Sequence, residues 1–324
     1  VNLSRRRIWL GVAAIVVVVL AGGGYVGWTA SRQAGVADAK PPATGDLMFV
    51  DLADGQDRVE TTRVERPDGP RGATGLRCQR VYRSAGTTVC LRLAGPGPSY
   101  EAAVLAADGG ARRTVALPGI PSRARISGSG QVVSWTSFVT GDSYSTPGGF
   151  STRTGALDLR TGELAESLEH FTATLEGSAY RSADINYWGV TVAADDRTFY
   201  ATLASGGRTW LVRGDLAAKT VEGLRQNAEC PSLSPDGTKV AYKKRLNRLG
   251  VWQLAVYDLK TGEERVLPET TGIDDQAAWL DEHNLAYAAT AGGQQKSSVF
   301  FVPADGSAPA RMVIPNAASP VPVR

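Results

Sequence analysis

The sequence is poor in the residues that most often carry chemistry. It has two histidines, two methionines and three cysteines in 324 residues. His170 and His283 are the only histidines and no His-x-x-x-His spacing exists, so a histidine-based metal centre is excluded. No Gly-x-Ser-x-Gly nucleophile elbow and no Walker-type phosphate loop appears. His283 falls in a predicted turn. No catalytic motif is recognisable, and an enzyme is not expected.

Positive charge is scarce where a nucleic-acid binder would need it. The formal net charge is +3. Arg5, Arg6, Arg7, Arg32 and Lys40, against Asp38, all precede residue 41, which leaves about −1 on the rest. A nucleic-acid binder should carry a basic face on its folded part, so no nucleic-acid partner is expected. Residues 8–30 contain no charge, and roughly 20 helical residues span a bilayer core. With Arg5–Arg7 in front, the pattern predicts a cytoplasmic basic segment at 1–7 and an uncleaved transmembrane signal anchor at 8–30. A tether at 31–44 and an extracytoplasmic domain at 45–324 would follow. A cleaved signal peptide is the alternative, with Ala37-Asp38-Ala39 as a distant candidate site. Both put the bulk of the chain outside the cytoplasm, and the anchor would hold it at the cell membrane.

What the sequence does have is turns. Its 37 glycines and 17 prolines are spread along the chain, which favours an all-β fold of short strands. Residues 233–242, Leu-Ser-Pro-Asp-Gly-Thr-Lys-Val-Ala-Tyr, read as a β-hairpin. The pattern recurs at 126–135, 192–201 and 82–91, and at 279–287 with one deletion. A second signal, a strand running into Asp-Leu-x-Thr-Gly, occurs at 256–263 and 156–163. Looser copies stand at 47–55, 104–109, 211–219 and 299–306. The period is about 41–46 residues where clean, with insertions expected around 141–154 and 163–181. Four short strands every 40–50 residues is the signature of propeller blades.

The repeat resembles the WD40-like repeat of TolB-like propellers, apolar-Ser-Pro-Asp-Gly-x-x-apolar-Ala-aromatic, over roughly residues 46–315. Residues 233–242 match it closely, whereas Gly128-Ser129, Ala194-Asp195-Asp196 and Asp281-Glu282 depart from it. The resemblance implies a propeller of about six blades, one incomplete. The α/β domain that precedes the propeller in TolB has no counterpart in this sequence, so a role in the Tol–Pal system is not carried over. Nor is there room for the α/β-hydrolase domain of a prolyl-oligopeptidase-type enzyme. The unit at 46–65 lacks a first hairpin. The tail at 316–324 is therefore expected to supply a short inner strand of a reduced closing blade, limited by Pro320 and Pro322.

Cys78 and Cys90 lie symmetrically about residue 84, in the turn-like stretch Arg83-Ser84-Ala85-Gly86. A hairpin turning there would set them opposite each other, within disulfide reach. Two buried free thiols are the alternative, and Cys230 is expected to be free and buried. In a propeller the first strand of each blade lines the channel. Asp184, Asp274 and Asp275, each before such a strand, are therefore candidates for a binding site at the channel mouth. They could bind Ca²⁺ or act as an acid–base pair, or be solvated turn residues; no cofactor is otherwise expected. Trp135, Tyr242, Trp279 and Tyr287 are expected in the core between blades. Lys243-Lys244-Arg245 with Arg248 reads as an exposed basic hairpin. The expected function is a surface-exposed protein-binding or scaffold module with a protein partner at the cell surface. The alternative is an extracytoplasmic hydrolase or lyase using channel carboxylates.

Overall fold

The computed structural model describes residues 2–33, 39–95, 97–139, 151–247, 251–290, 292 and 294–324. The strands form six separate sheets. Blade I combines Ala317–Pro322, Asp46–Asp51, Arg58–Arg63 and Gly72–Arg77. Blade II runs from Arg80–Ser84 to Ala111–Leu117, and blade III from Ile120–Ile126 to Leu164–Ala165. Blade IV holds Asn186–Val192, Thr198–Ser205, Arg208–Asp215 and Thr220–Gln226. Blade V runs from Glu229–Leu233 to Glu264–Val266, and blade VI from Ala278–Trp279 to Arg311–Ile314.

The first strands of blades II to VI each neighbour the next. Ala317–Pro322 neighbours the first strands of both blade VI and blade II. They therefore form a closed ring, and the later strands radiate from it. Apolar clusters join consecutive blades: Leu91 and Val104 with Ile126 and Trp135, Tyr200 and Leu211 with Val240 and Tyr242, Phe49 with Val299 and Ile314. Each sheet thus buries its faces against neighbours, which a four-stranded sheet of this size cannot do alone. Trp135 and Tyr242 are buried in these clusters, and Trp279 and Tyr287 in a further one that joins blades V and VI, as expected.

The turn chemistry follows the repeat. Gly237 N–H donates to Ser234 O at 2.9 Å, and Gly237 has φ +71°. Gly130 (φ +77°) and Asp196 (φ +55°) hold the same position above Ser127 and Ala193. In the second signal, Asp258 accepts from the N–H groups of Lys260 and Thr261, while Gly262 N–H donates back to Asp258 O at 3.0 Å. Asp158 does the same toward Arg160 and Thr161. These short side chains satisfy turn N–H groups locally, which is why the motif survives changes in its other letters.

The closing blade is not reduced. Ala317–Pro322 pairs antiparallel with Asp46–Asp51, from Leu47 opposite Pro322 to Asp51 opposite Ala317, and completes a four-stranded sheet. A bulge between Met48 and Val50 takes up Pro320, while Pro322 stays in register opposite Leu47 at the end of the strand. The second expected insertion is a short 3-10 helix, Leu168–His170, and a hairpin, Thr172–Leu175 with Ser178–Tyr180. Thr172–Leu175 adds in parallel to the edge strand Thr220–Gln226, so blade IV has six strands. Residues 140–150 of the first insertion lie outside the described residues.

Cys78 and Cys90 form a disulfide with Cα atoms 5.3 Å apart. Its setting differs from the hairpin expected. Ser84 pairs with Thr87, so the turn centres on Ala85-Gly86, and Val81 rather than Cys78 lies opposite Cys90. Cys78 stands in the link between blades, where its N–H donates to Asp57 O. The bridge therefore staples the end of blade I to blade II. Cys230 is free and buried.

Residues Asn2–Gln33 form a helix. Among the described residues no helix is long and apolar enough to cross a membrane. The anchor expected at 8–30, with the membrane partner and location that depend on it, therefore has no support in the structure.

Candidate functional site: the channel mouth

Strand direction alternates within each blade, so the ring has two unlike rims. One rim carries the two kinds of short turn described above, for example 127–130, 234–237 and 258–262. The other carries the links between blades, among them 166–185 and 267–277. Beyond the N-terminal helix, seven large apolar side chains are described as exposed. Five of them, Leu93, Ile120, Phe138, Leu246 and Val251, sit at the loop rim; Leu224 and Met312 lie on outer strands. The chain enters the ring at the turn rim, where Gly45 N–H donates to Val323 O.

Counting back three residues from the start of each inner hairpin, and from Pro322 of the closing strand, gives one position per blade: Gln79, Arg123, Gly189, Cys230, Gln276 and Ser319. Gly189, Cys230 and Ser319 have positive φ, and the ladder shifts register beside Arg123, Gly189, Cys230 and Ser319. Bulges of this kind re-aim side chains. Gln276 Nε2 donates to the carbonyls of Gly189, Val190 and Pro231, joining three blades. The space is tight here: a Cβ on Gly189 would stand 2.6 Å from Cys230 Cα.

Around this level the wall is cationic. Arg123, Arg125 and Lys243 are buried, and Arg80 is half-buried. Arg123 donates to Asp274 O, and Arg125 donates to the carbonyls of Gln276 and Ala277 at 2.9 and 2.7 Å. Arg80 Nε donates to Ser122 O at 2.8 Å. Burial lowers the pKa of Arg80 and of Arg125. Burial acts likewise on Arg123, but the facing Cys230, Asp275 and Asp274 outweigh it and raise it.

The three predicted aspartates have three different fates. Asp275 is buried; its Oδ2 accepts Ser319 N–H at 2.9 Å and its Oδ1 accepts Gln276 N–H at 2.8 Å. Burial pushes its pKa up, but Arg80, Arg123, that N–H group and Arg125 win and hold it below the usual carboxylate range. Asp275 is thus a latch on the closing strand and a fixed counter-ion. Asp274 is at the lip, its side chain 87% exposed, 3.8 Å from Arg123 and 3.6 Å from Lys243. Asp184 is not brought to them: its carboxylate takes Ser182, Ser205 and the Gly206 N–H, capping a hairpin of blade IV. Among the described residues no group of three His, Cys, Asp or Glu able to hold a metal comes together, so the donors considered for Ca²⁺ are not assembled.

The exposed basic hairpin is also corrected. Lys243 points to Asp274, Lys244 to Glu264 at 2.5 Å and Arg245 to Glu229 at 3.8 Å. Arg245 and Lys243 both lie over the Trp252 ring. Arg248 lies outside the described residues. The channel arginines were missed because an arginine inside a strand looks like a solvated face; counting back three from the aligned hairpins would have found Arg123 and Gln276.

No family model and no curated protein matches the chain. Among solved structures it is similar to TolB from Acinetobacter baumannii, with TM-score 0.64 and 16% identity over 86% of this chain and 67% of that one. It is also similar to a chain of the nidogen/laminin complex, with TM-score 0.54 and 11% identity over 85% and 97% of the two chains. A third similarity is to a Mycobacterium tuberculosis puromycin-hydrolyzing peptidase, with TM-score 0.51 and 16% identity. That one covers 86% of this chain but only 45% of the peptidase. At such identities the likeness concerns fold alone: the chain has a TolB-like, six-bladed all-β propeller.

Proposed function

We propose that the protein is an extracytoplasmic interaction module that binds a protein partner across its loop rim. The observation that carries this reading is the concentration of exposed apolar side chains on that rim beside the channel mouth. Scattered exposed apolar residues need no explanation, but residues gathered on one face of a rigid ring mark a contact surface. The TolB and nidogen likenesses are compatible with it. The N-terminal anchor at 8–30 belongs to the same reading and rests on the sequence: a charge-free run behind three arginines. Because the chain joins the ring at the turn rim, such an anchor leaves the loop rim free.

Asp275 spends its oxygens on backbone N–H groups and stays ionised, and Asp274 is solvated. The pKa of Asp275 is lowered, not raised as a general acid needs, which weighs against the hydrolase or lyase alternative. The test is crosslinking capture from intact membranes with the full chain, comparing wild type with an Ile120→Ser/Leu246→Ser double variant. A specific partner captured by wild type and lost at least tenfold in the variant supports the reading. Capture unaffected by the substitutions, or turnover by the purified protein that Asp274→Asn and Asp275→Asn abolish, overturns it.

A further inference from the structure

The six blades end in outer strands of unequal reach. Those of blades III, V and VI, Leu164–Ala165, Glu264–Val266 and Arg311–Ile314, have two, three and four residues. Blade I ends in Gly72–Arg77, where Lys40 N–H donates to Ala73 O at 3.0 Å, so the chain's own entry segment touches that edge. Blade IV ends in Thr220–Gln226, seven residues long, and Thr172–Leu175 covers it in parallel from Thr220 to Glu222. Blade II ends in Ala111–Leu117, also seven residues long, and no strand among the described residues pairs with its outer side. A blade edge of this length therefore accepts a further strand in blade IV and stands bare in blade II.

Natural proteins blunt bare edges by shortness, bulges or charge. In blade II the bulge falls at one end. Leu105 pairs with Ala111 and Val104 with Arg113, so Arg112 is the extra residue, and Arg113 to Leu117 continue in unbroken register. Residues 111–114 and Ala116 are exposed. The charge on this edge is of one sign. Arg112 donates to the Thr87 hydroxyl at 3.1 Å, and among the described residues neither Arg112 nor Arg113 forms an ion pair. The nearby acids are engaged elsewhere. Asp108 accepts Gly110 N–H at 2.9 Å, and Glu101, opposite Ala116, is held by Arg92 at 2.8 Å. A guard of one sign repels strands of that sign and favours strands of the other.

We propose that the outer edge of blade II is a docking site for an extended acidic segment of a partner protein, which adds to Ala111–Leu117 as a fifth strand. Main-chain hydrogen bonds along Arg113–Leu117 supply the affinity, and carboxylates set against Arg112 and Arg113 supply the selectivity. A second copy of the chain is a poorer occupant, because its own edge brings two more arginines and no free carboxylate. The site lies on the outer wall of the ring and stands independently of the contact at the loop rim.

The experiment titrates the full chain in detergent with short fluorescent peptides, read by anisotropy, and uses hydrogen–deuterium exchange to locate the contact. The probes are an alternating glutamate–valine peptide, its lysine–valine counterpart, and an acidic control in which proline replaces each valine. The control keeps the charge but loses ladder N–H donors. The expected result is saturable binding of the acidic peptide, roughly tenfold or more weaker binding of the other two, and slowed exchange confined to residues 111–117. Arg112→Glu/Arg113→Glu, with its melting temperature as the check on folding, should bind the lysine peptide in preference to the acidic one. The proline control and the exchange pattern keep the test decisive if that variant does not fold. Equal binding of the proline control, exchange unchanged at 111–117, or a preference that does not reverse overturns the site. Dimerisation that protects 111–117 without acidic-peptide binding would assign the edge to a second copy and overturn it as well. Ile120→Ser/Leu246→Ser should leave peptide binding unchanged, which separates a failure here from a failure of the loop-rim contact.

Discussion

The two rims of the ring solve different problems with the same strands. On the turn rim, short Asp, Ser and Gly turns satisfy their own backbone: Asp258 and Asp158 cap N–H groups two and three residues on. On the loop rim, links of varied length bring residues from different blades together, so Arg123 of blade III meets Asp274 between blades V and VI. Local turns repeat because each needs only its neighbours in sequence. Long-range contacts do not repeat, and this is where the molecule becomes individual. If the comparison is right, damage to ring closure and to the loop rim should cost far more than damage to a single turn.

The largest effect is expected from deleting residues 316–324. The deletion removes the inner strand of blade I and buried Val321 and Val323. At about 1.5–3 kcal/mol per buried aliphatic side chain, the loss approaches 5 kcal/mol. Calorimetry should show a melting temperature lower by about 10 °C, with new proteolysis between residues 47 and 64. An unchanged melting temperature would mean that the other strands close the ring unaided.

Next comes Asp275→Asn, which leaves Arg80, Arg123 and Arg125 without their buried counter-ion and weakens the latch on Ser319. Breaking a buried pair costs about 3 kcal/mol. The pH dependence has a definite sign. The folded pKa of Asp275 is depressed, so its contribution is fully present above the unfolded value of about 3.9 and is lost as pH falls through the folded value. Denaturant melts below about pH 4 should therefore show a shallower loss of stability in the variant than in wild type. Equal slopes would show that another carboxylate carries the effect.

Opening the disulfide should cost about 2–3 kcal/mol, because a loop separated by 12 residues is constrained. A Cys78→Ala/Cys90→Ala variant should melt lower, with protease sensitivity appearing first at the link around Gln79 between blades I and II. The smallest effect is expected on the turn rim. Gly237 has φ +71° and open space around its Cα, so Gly237→Ala adds only left-handed strain, about 1 kcal/mol. It should leave partner capture unchanged; a loss would show that the rims are coupled.

Much of the fold was legible because the turn motifs are local. Asp-Leu-x-Thr-Gly and Ser-Pro-Asp-Gly define their hairpins through side-chain bonds two or three residues away, so blade number and the aromatic core positions could be read in one pass. The cysteine pairing was read correctly for an incomplete reason. The turn lies one to two residues later than symmetry suggested, and the bridge works between blades because Cys78 has already left its strand. The closing strand was anticipated by elimination, but its full pairing was not. Prolines 320 and 322 argue against a ladder, but a bulge takes up Pro320 and Pro322 pairs with Leu47 at the end of the strand.

The candidate site was far less legible. Asp184, Asp274 and Asp275 stand at comparable sequence positions, yet one caps a hairpin, one lies at the lip and one latches the closing strand. Lys243 looks like its neighbours Lys244 and Arg245 in sequence, and only the ring turns it inward against Asp274. The sequence by itself determined the repeated blade, its turns and its buried aromatic positions, because those depend on interactions between residues close along the chain. The tertiary structure alone decided which charges are buried and which pair, because that depends on how six blades meet around one axis.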